Sequence, residues 1–113
     1  MRTAALLASA LLSSGTVPAD RPEDLANIKA ARSVVAEWDL IDRSVAAGLV
    51  SKRYAALMQR EARTQLTTTL HAFADPHSPA ATAVAGVLRR SEPGPLRKDV
   101  ATLIRLEHQL EDR

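Results

Sequence analysis

From Asp20 onward the apolar residues return every three or four positions and nowhere alternate, a pattern that predicts helices throughout and no strand. The first repeat places Ile28, Ala31, Val34, Val35, Trp38, Ile41 and Val45 on one stripe, with Lys29, Ser33, Glu37 and Ser44 away from it. A helix from about Pro22 to Ala47 follows. Pro22 suits its first turn, Glu23 and Asp24 suit the positive end of its dipole, and Gly48 is placed to end it.

A second repeat begins at Ser51, a natural N-cap, and runs to about Ala74, collecting Tyr54, Ala55, Met58, Ala62, Leu66, Leu70 and Phe73 on its apolar side. The connection between the two is so short that they must form an antiparallel hairpin. Asp75-Pro76-His77-Ser78-Pro79 stops the second helix, because a residue before proline is pushed out of helical geometry, and Ser78 with Pro79 starts a third. That third helix, Pro79 to Arg90, is short and alanine-rich, with Val84, Val87 and Leu88 as its apolar edge, and is expected as a lid or connector. Ser91 to Pro95 reads as a linker. A last helix from about Leu96 to Glu111 aligns Leu96, Val100, Leu103, Ile104, Leu106 and Leu110. The expected fold is all-α: a helical hairpin, a short helix and a C-terminal helix in one small three- to four-helix bundle spanning residues 20–113.

Composition sharpens this picture in three ways. Twenty-one of the 113 residues are alanine, so the helices must approach closely instead of enclosing a bulky core. Such a core is marginal in a chain this short, which makes a homodimer or another protein partner an expectation. Single Trp, Tyr and Phe residues and a formal charge of +2 supply neither stacking platforms nor a strong positive field, and argue against nucleic acid as the partner. The absence of cysteine excludes disulfides, thiol nucleophiles and thiolate metal sites.

The first 19 residues bear on location. Met1-Arg2, an apolar run from Ala4 to Leu12 and the small-residue ending Val17-Pro18-Ala19 have the order of a bacterial secretory signal, with a cut after Ala19. The expectation is a periplasmic or secreted protein; an alanine-rich N-terminal helix on a cytoplasmic protein is the alternative. The apolar run is too short to span a bilayer.

Two carboxylates stand out as candidate site residues. Asp42 falls inside the first apolar stripe one turn beyond Trp38, and Glu107 falls between Leu103, Ile104 and Leu110. An unpaired buried carboxylate costs several kcal/mol, so each requires a donor or a cation. Asp42 can accept from the Trp38 indole N–H, or either acid can meet an arginine of a neighbouring helix. Convergence of Asp42 and Glu107 on one cleft would instead make a ligand-binding or enzymatic site. Asp39 has its own partner in Arg43, four residues on.

A second candidate is the basic face of the second helix, Lys52, Arg53, Arg60 and Arg63, suited to docking an acidic partner. Metal and cofactor signals are missing. His71, Asp75 and His77 are separated by a helix end, no Glu-x-x-His pair occurs, and no glycine-rich phosphate loop or Gly-x-Ser-x-Gly elbow is present. An enzyme holding a dianionic substrate would need inward cations, whereas the inward charges here are acids. The expected function is therefore binding without catalysis, by self-association or partner docking; the alternatives are an enzyme or ligand-binding protein using the inward-facing carboxylates in a bundle cleft, and a cytosolic regulatory protein that binds protein or nucleic acid.

Overall fold

The computed structural model describes residues 18–90 and 96–112; most of the expected leader (1–17) and the linker 91–95 lie outside the described residues. A 3-10 turn at Pro22–Asp24 leads into α1, Leu25–Ala46, followed by α2, Lys52–Ala72, α3, Pro79–Leu88, and α4, Arg97–Glu111. The described residues contain no strand, and the all-α expectation holds. Each helix packs on two others in a closed cycle, α1 on α2, α2 on α3, α3 on α4 and α4 back on α1.

The helix ends follow from local chemistry. Gly48, at φ +73°, closes α1, with its N–H donating to the Val45 carbonyl and the Leu49 N–H to the Ser44 carbonyl. Ser51 caps α2 by accepting from the Tyr54 N–H at 3.0 Å. Two side chains cap α3: the Ser78 hydroxyl accepts from Ala81 at 3.2 Å, and Asp20, far back in the chain, accepts from Ala80 at 3.1 Å. Pro79 has no N–H to satisfy, so the first donors of this buried helix end are all accounted for.

Asp24 does more than compensate a dipole. Its Oδ1 accepts from the Ala74 N–H at 3.1 Å, while Asn27 donates to the Ala72 carbonyl at 3.2 Å. The entry to α1 is thereby tied to the turn between α2 and α3.

The expectation for α3 as a lid or connector needs correction. Ala80, Ala81, Val84 and Val87 are all fully buried, and the helix forms part of the core with Ile28, Val35, Leu66, Leu96 and Leu103. Small side chains permit this, because they let a ten-residue helix settle between longer neighbours. Gly86 lies inside this helix, and an added Cβ would meet only the Arg89 Nη2 at 3.8 Å. Gly86→Ala is expected to stabilise the fold by about 0.5–1 kcal/mol through loss of unfolded-state entropy. Gly48→Ala should cost about 1 kcal/mol, since its positive φ is strained for any Cβ. Urea midpoints of the two variants check both signs.

Candidate functional site

α1 and α2 outrun the helices that cover them. At 1.5 Å per residue the hairpin arms of 22 and 21 residues span about 30 Å, whereas α3 spans about 15 Å. The core draws on Ile28 to Trp38 of α1 and on Ala62 and Leu66 of α2, and between Leu40 and Glu61 only Ala55 is buried. Among the described residues the turn end of the hairpin is thus a two-helix layer without a core of its own.

This end exposes what a core would normally take in. Leu49 is 77% exposed, Leu57 58% and Tyr54 49%. Tyr54 had been expected on the apolar side of α2; it points outward instead. An open cleft of about 520 Å³ is lined by Ser51, Arg53, Tyr54, Ala56, Leu57 and Arg60. The spacing 53, 56, 57, 60 is one face of a helix, so apolar contacts and guanidinium groups share a single surface. Among the described residues no ion pair or side-chain hydrogen bond engages the charged ends of Lys52, Arg53 or Arg60.

Arg63, the fourth member of the expected basic face, is engaged elsewhere. Its guanidinium lies 5.0 Å from the centre of the Trp38 ring and donates to the Leu88 carbonyl at 2.8 Å and the Arg90 carbonyl at 2.5 Å. It closes the C-terminal end of α3 against α1. Trp38 is buried, and its ring lies under that cation.

Asp42 is half-buried at the α1–α2 contact, and the donor to its Oδ1 is the Gln59 amide at 2.7 Å, in place of the Trp38 indole considered from the sequence. Burial raises its carboxyl above the ordinary 3.8, and the Asp39 charge pushes the same way, against the Gln59 hydrogen bond and the Arg90 charge. A carboxyl whose folded value is raised favours the fold while protonated and disfavours it once ionised. The contribution of Asp42 to stability should therefore fall as pH rises through the carboxylate range. Asp42→Asn, which keeps an acceptor for Gln59, is expected to remove that part of the pH dependence and to be at least as stable at neutral pH, as read from urea midpoints along a pH series. A second cleft, of about 240 Å³, opens beside this residue and is lined by Asp42, Val45, Lys52, Ala55, Ala56 and Gln59.

Glu107 is buried and paired with Arg32 across the α1–α4 contact. Arg32 and Asp42 are ten residues apart on one helix, about 15 Å along its axis, so the two candidate carboxylates are held at different levels by different partners. They do not converge on a common cleft. Asp39 pairs with Arg43 at 3.2 Å, as the spacing predicted.

The described residues hold no cluster of three or more acidic, histidine or cysteine side chains placed to bind a metal ion. No described helix is long and apolar enough to cross a membrane. No protein-family model matches the chain, and neither curated proteins nor solved structures match it.

Proposed function

We propose that this chain is a non-enzymatic binding module that docks an acidic protein partner through the uncovered end of the α1–α2 hairpin. The observation behind this reading is the coincidence, on one helix face, of exposed Tyr54 and Leu57 with the uncompensated cations Arg53 and Arg60 around an open cleft. Apolar area of this kind marks interaction surfaces, and unpaired charge sets the sign of what will bind. Self-association through the same face would set one positively charged surface against another, so the charge favours a partner of opposite sign over a second copy.

The probe is a designed amphipathic peptide with leucines along one face and glutamates along its edges, titrated into isotope-labelled protein. Amide shifts should concentrate at residues 49–60, and affinity should fall steeply with salt. Arg53→Glu/Arg60→Glu should weaken binding by at least about tenfold, or 1.4 kcal/mol, and a lysine-edged peptide should restore it. Shifts confined to the four-helix part, or indifference to the charge reversal, would overturn the proposal.

The same reading places the mature protein outside the cytoplasm, beginning at Asp20. Two observations support that start: Pro18 and Ala19 are exposed, whereas Asp20 is buried and caps α3, so a cut after Ala19 spares a residue the fold uses. The mass of the protein recovered from an extracytoplasmic fraction tests it. An intact N-terminus found in the cytosol would sink it.

A further inference from the structure

The cleft beside Asp42 has a composition that protein docking does not call on. Its apolar lining is Val45, Ala55 and Ala56, and its polar lining is small: the Asp42 carboxylate on α1, the Gln59 amide on α2 and Lys52 at the start of α2. Gln59 donates to the Asp42 Oδ1 at 2.7 Å, while no hydrogen bond among the described residues reaches the Oδ2. Lys52 has no ion pair among the described residues either.

Lys52 precedes Gln59 by seven residues, about 10 Å along the helix, so the two positions stand at opposite ends of the α2 side of the cleft. At about 240 Å³ the space is smaller than the ~300–1,000 Å³ of sites for drug-sized ligands.

We infer that this cleft is a binding site for a small zwitterion, an ω-amino carboxylate or a molecule of similar length, with its ammonium group on Asp42 and its carboxylate on Lys52. A short aliphatic body would lie over Val45, Ala55 and Ala56. An α-amino acid, whose charges are adjacent, does not bridge the two ends. Burial and the Asp39 charge disfavour the Asp42 carboxylate more than the Gln59 hydrogen bond and the Arg90 charge favour it, so an arriving ammonium group relieves a remaining cost as well as adding an attraction. This inference shares part of α2 with the docking proposal, Ala56 lining both clefts, but it relies on Asp42 and Lys52 and not on Arg53 or Arg60.

The probes are 5-aminopentanoate, pentylamine, pentanoate and glycine, each titrated into the isotope-labelled full chain while the Gln59 side-chain amide and the Ala55 and Ala56 amides are followed. 5-Aminopentanoate should saturate these shifts in the low-millimolar range, at least about tenfold more tightly than pentylamine, with pentanoate and glycine inert. Asp42→Asn, which retains the acceptor for Gln59, should abolish the response without disturbing the remaining spectrum. Lys52→Gln should reduce 5-aminopentanoate to the level of pentylamine. Equal affinity for the zwitterion and the amine, an unchanged response in Asp42→Asn, or no saturable shift by about 20 mM would each overturn the inference. The Arg53→Glu/Arg60→Glu protein should still bind 5-aminopentanoate, so failure of the docking proposal and failure of this one are separately visible.

Discussion

Arg63→Ala is expected to lower stability by about 2–3 kcal/mol, a fall in Tm of roughly 10–20 °C for a domain of this size. The side chain joins three helices at once. It lies over Trp38 of α1, it belongs to α2, and it donates to the Leu88 and Arg90 carbonyls at the end of α3. Those carbonyls sit at the negative end of the α3 dipole, where no intrahelical donor remains for them. Charge-assisted bonds to such acceptors outweigh neutral ones, and a guanidinium over an indole adds about 0.5–1 kcal/mol where water still reaches it. Arg63→Lys should recover less than half of the loss, since an ammonium group cannot lie flat on the ring while donating to two separate carbonyls. Trp38 is the only tryptophan, so its near-ultraviolet circular dichroism reports the contact directly. A loss below about 0.5 kcal/mol in Arg63→Ala, in the range of ordinary surface substitutions, would show that the clamp contributes nothing.

Much of the fold was legible because periodicity and punctuation agreed. The stripes of α1, α2 and α4 were strong, and Gly48, Ser51, Ser78 and Pro79 marked ends that the structure places within two residues of expectation. α3 was misjudged for a physical reason. Alanine contributes little to a hydrophobic pattern, yet Ala80 and Ala81 are fully buried because smallness, not hydrophobicity, is what their position requires. The caps supplied by Asp20 and the tie made by Asp24 were illegible in principle, as they join residues 60 and 50 positions apart.

The candidate site was half legible. Asp42 stood out in the sequence as a polar residue in an apolar stripe, but its partner Gln59 did not. At 100° per residue Gln59 falls about 20° from Leu66, on the inward side of α2, and Lys52 about 40° from it. Two polar residues facing inward near the start of α2 were the signal that the hairpin has no core at that end. Leu57 gave the complementary signal, lying about 180° from Leu66 on the outer face. A stripe counted over the whole helix averages out both anomalies. Reading it turn by turn separates the part of α2 that builds the bundle from the part left to bind.

The Arg32–Glu107 pair should behave asymmetrically when its members are removed. The Glu107 side chain is only 10% exposed, whereas that of Arg32 is 34% exposed and its head lies nearer to solvent. Arg32→Met leaves a nearly buried carboxylate without a cation, and is expected to cost about 2–3 kcal/mol, somewhat less than the loss of a partner from a fully buried pair. Glu107→Leu leaves an arginine whose aliphatic stem still covers the helix while its charge turns to water, and should cost no more than about 1 kcal/mol. Arg32→Met/Glu107→Leu should come within about 1 kcal/mol of the parent, because an apolar pair of similar volume replaces the ion pair without leaving an unpaired charge. The neighbouring Lys29–Glu111 pair, 3.3 Å apart but about half exposed, provides the control, with an expected effect below about 0.5 kcal/mol. A double-mutant cycle in urea reads all of these values on one scale. Equal losses from the two single variants would mean that burial of Glu107, the basis of the asymmetry, does not govern the energetics of the α1–α4 contact.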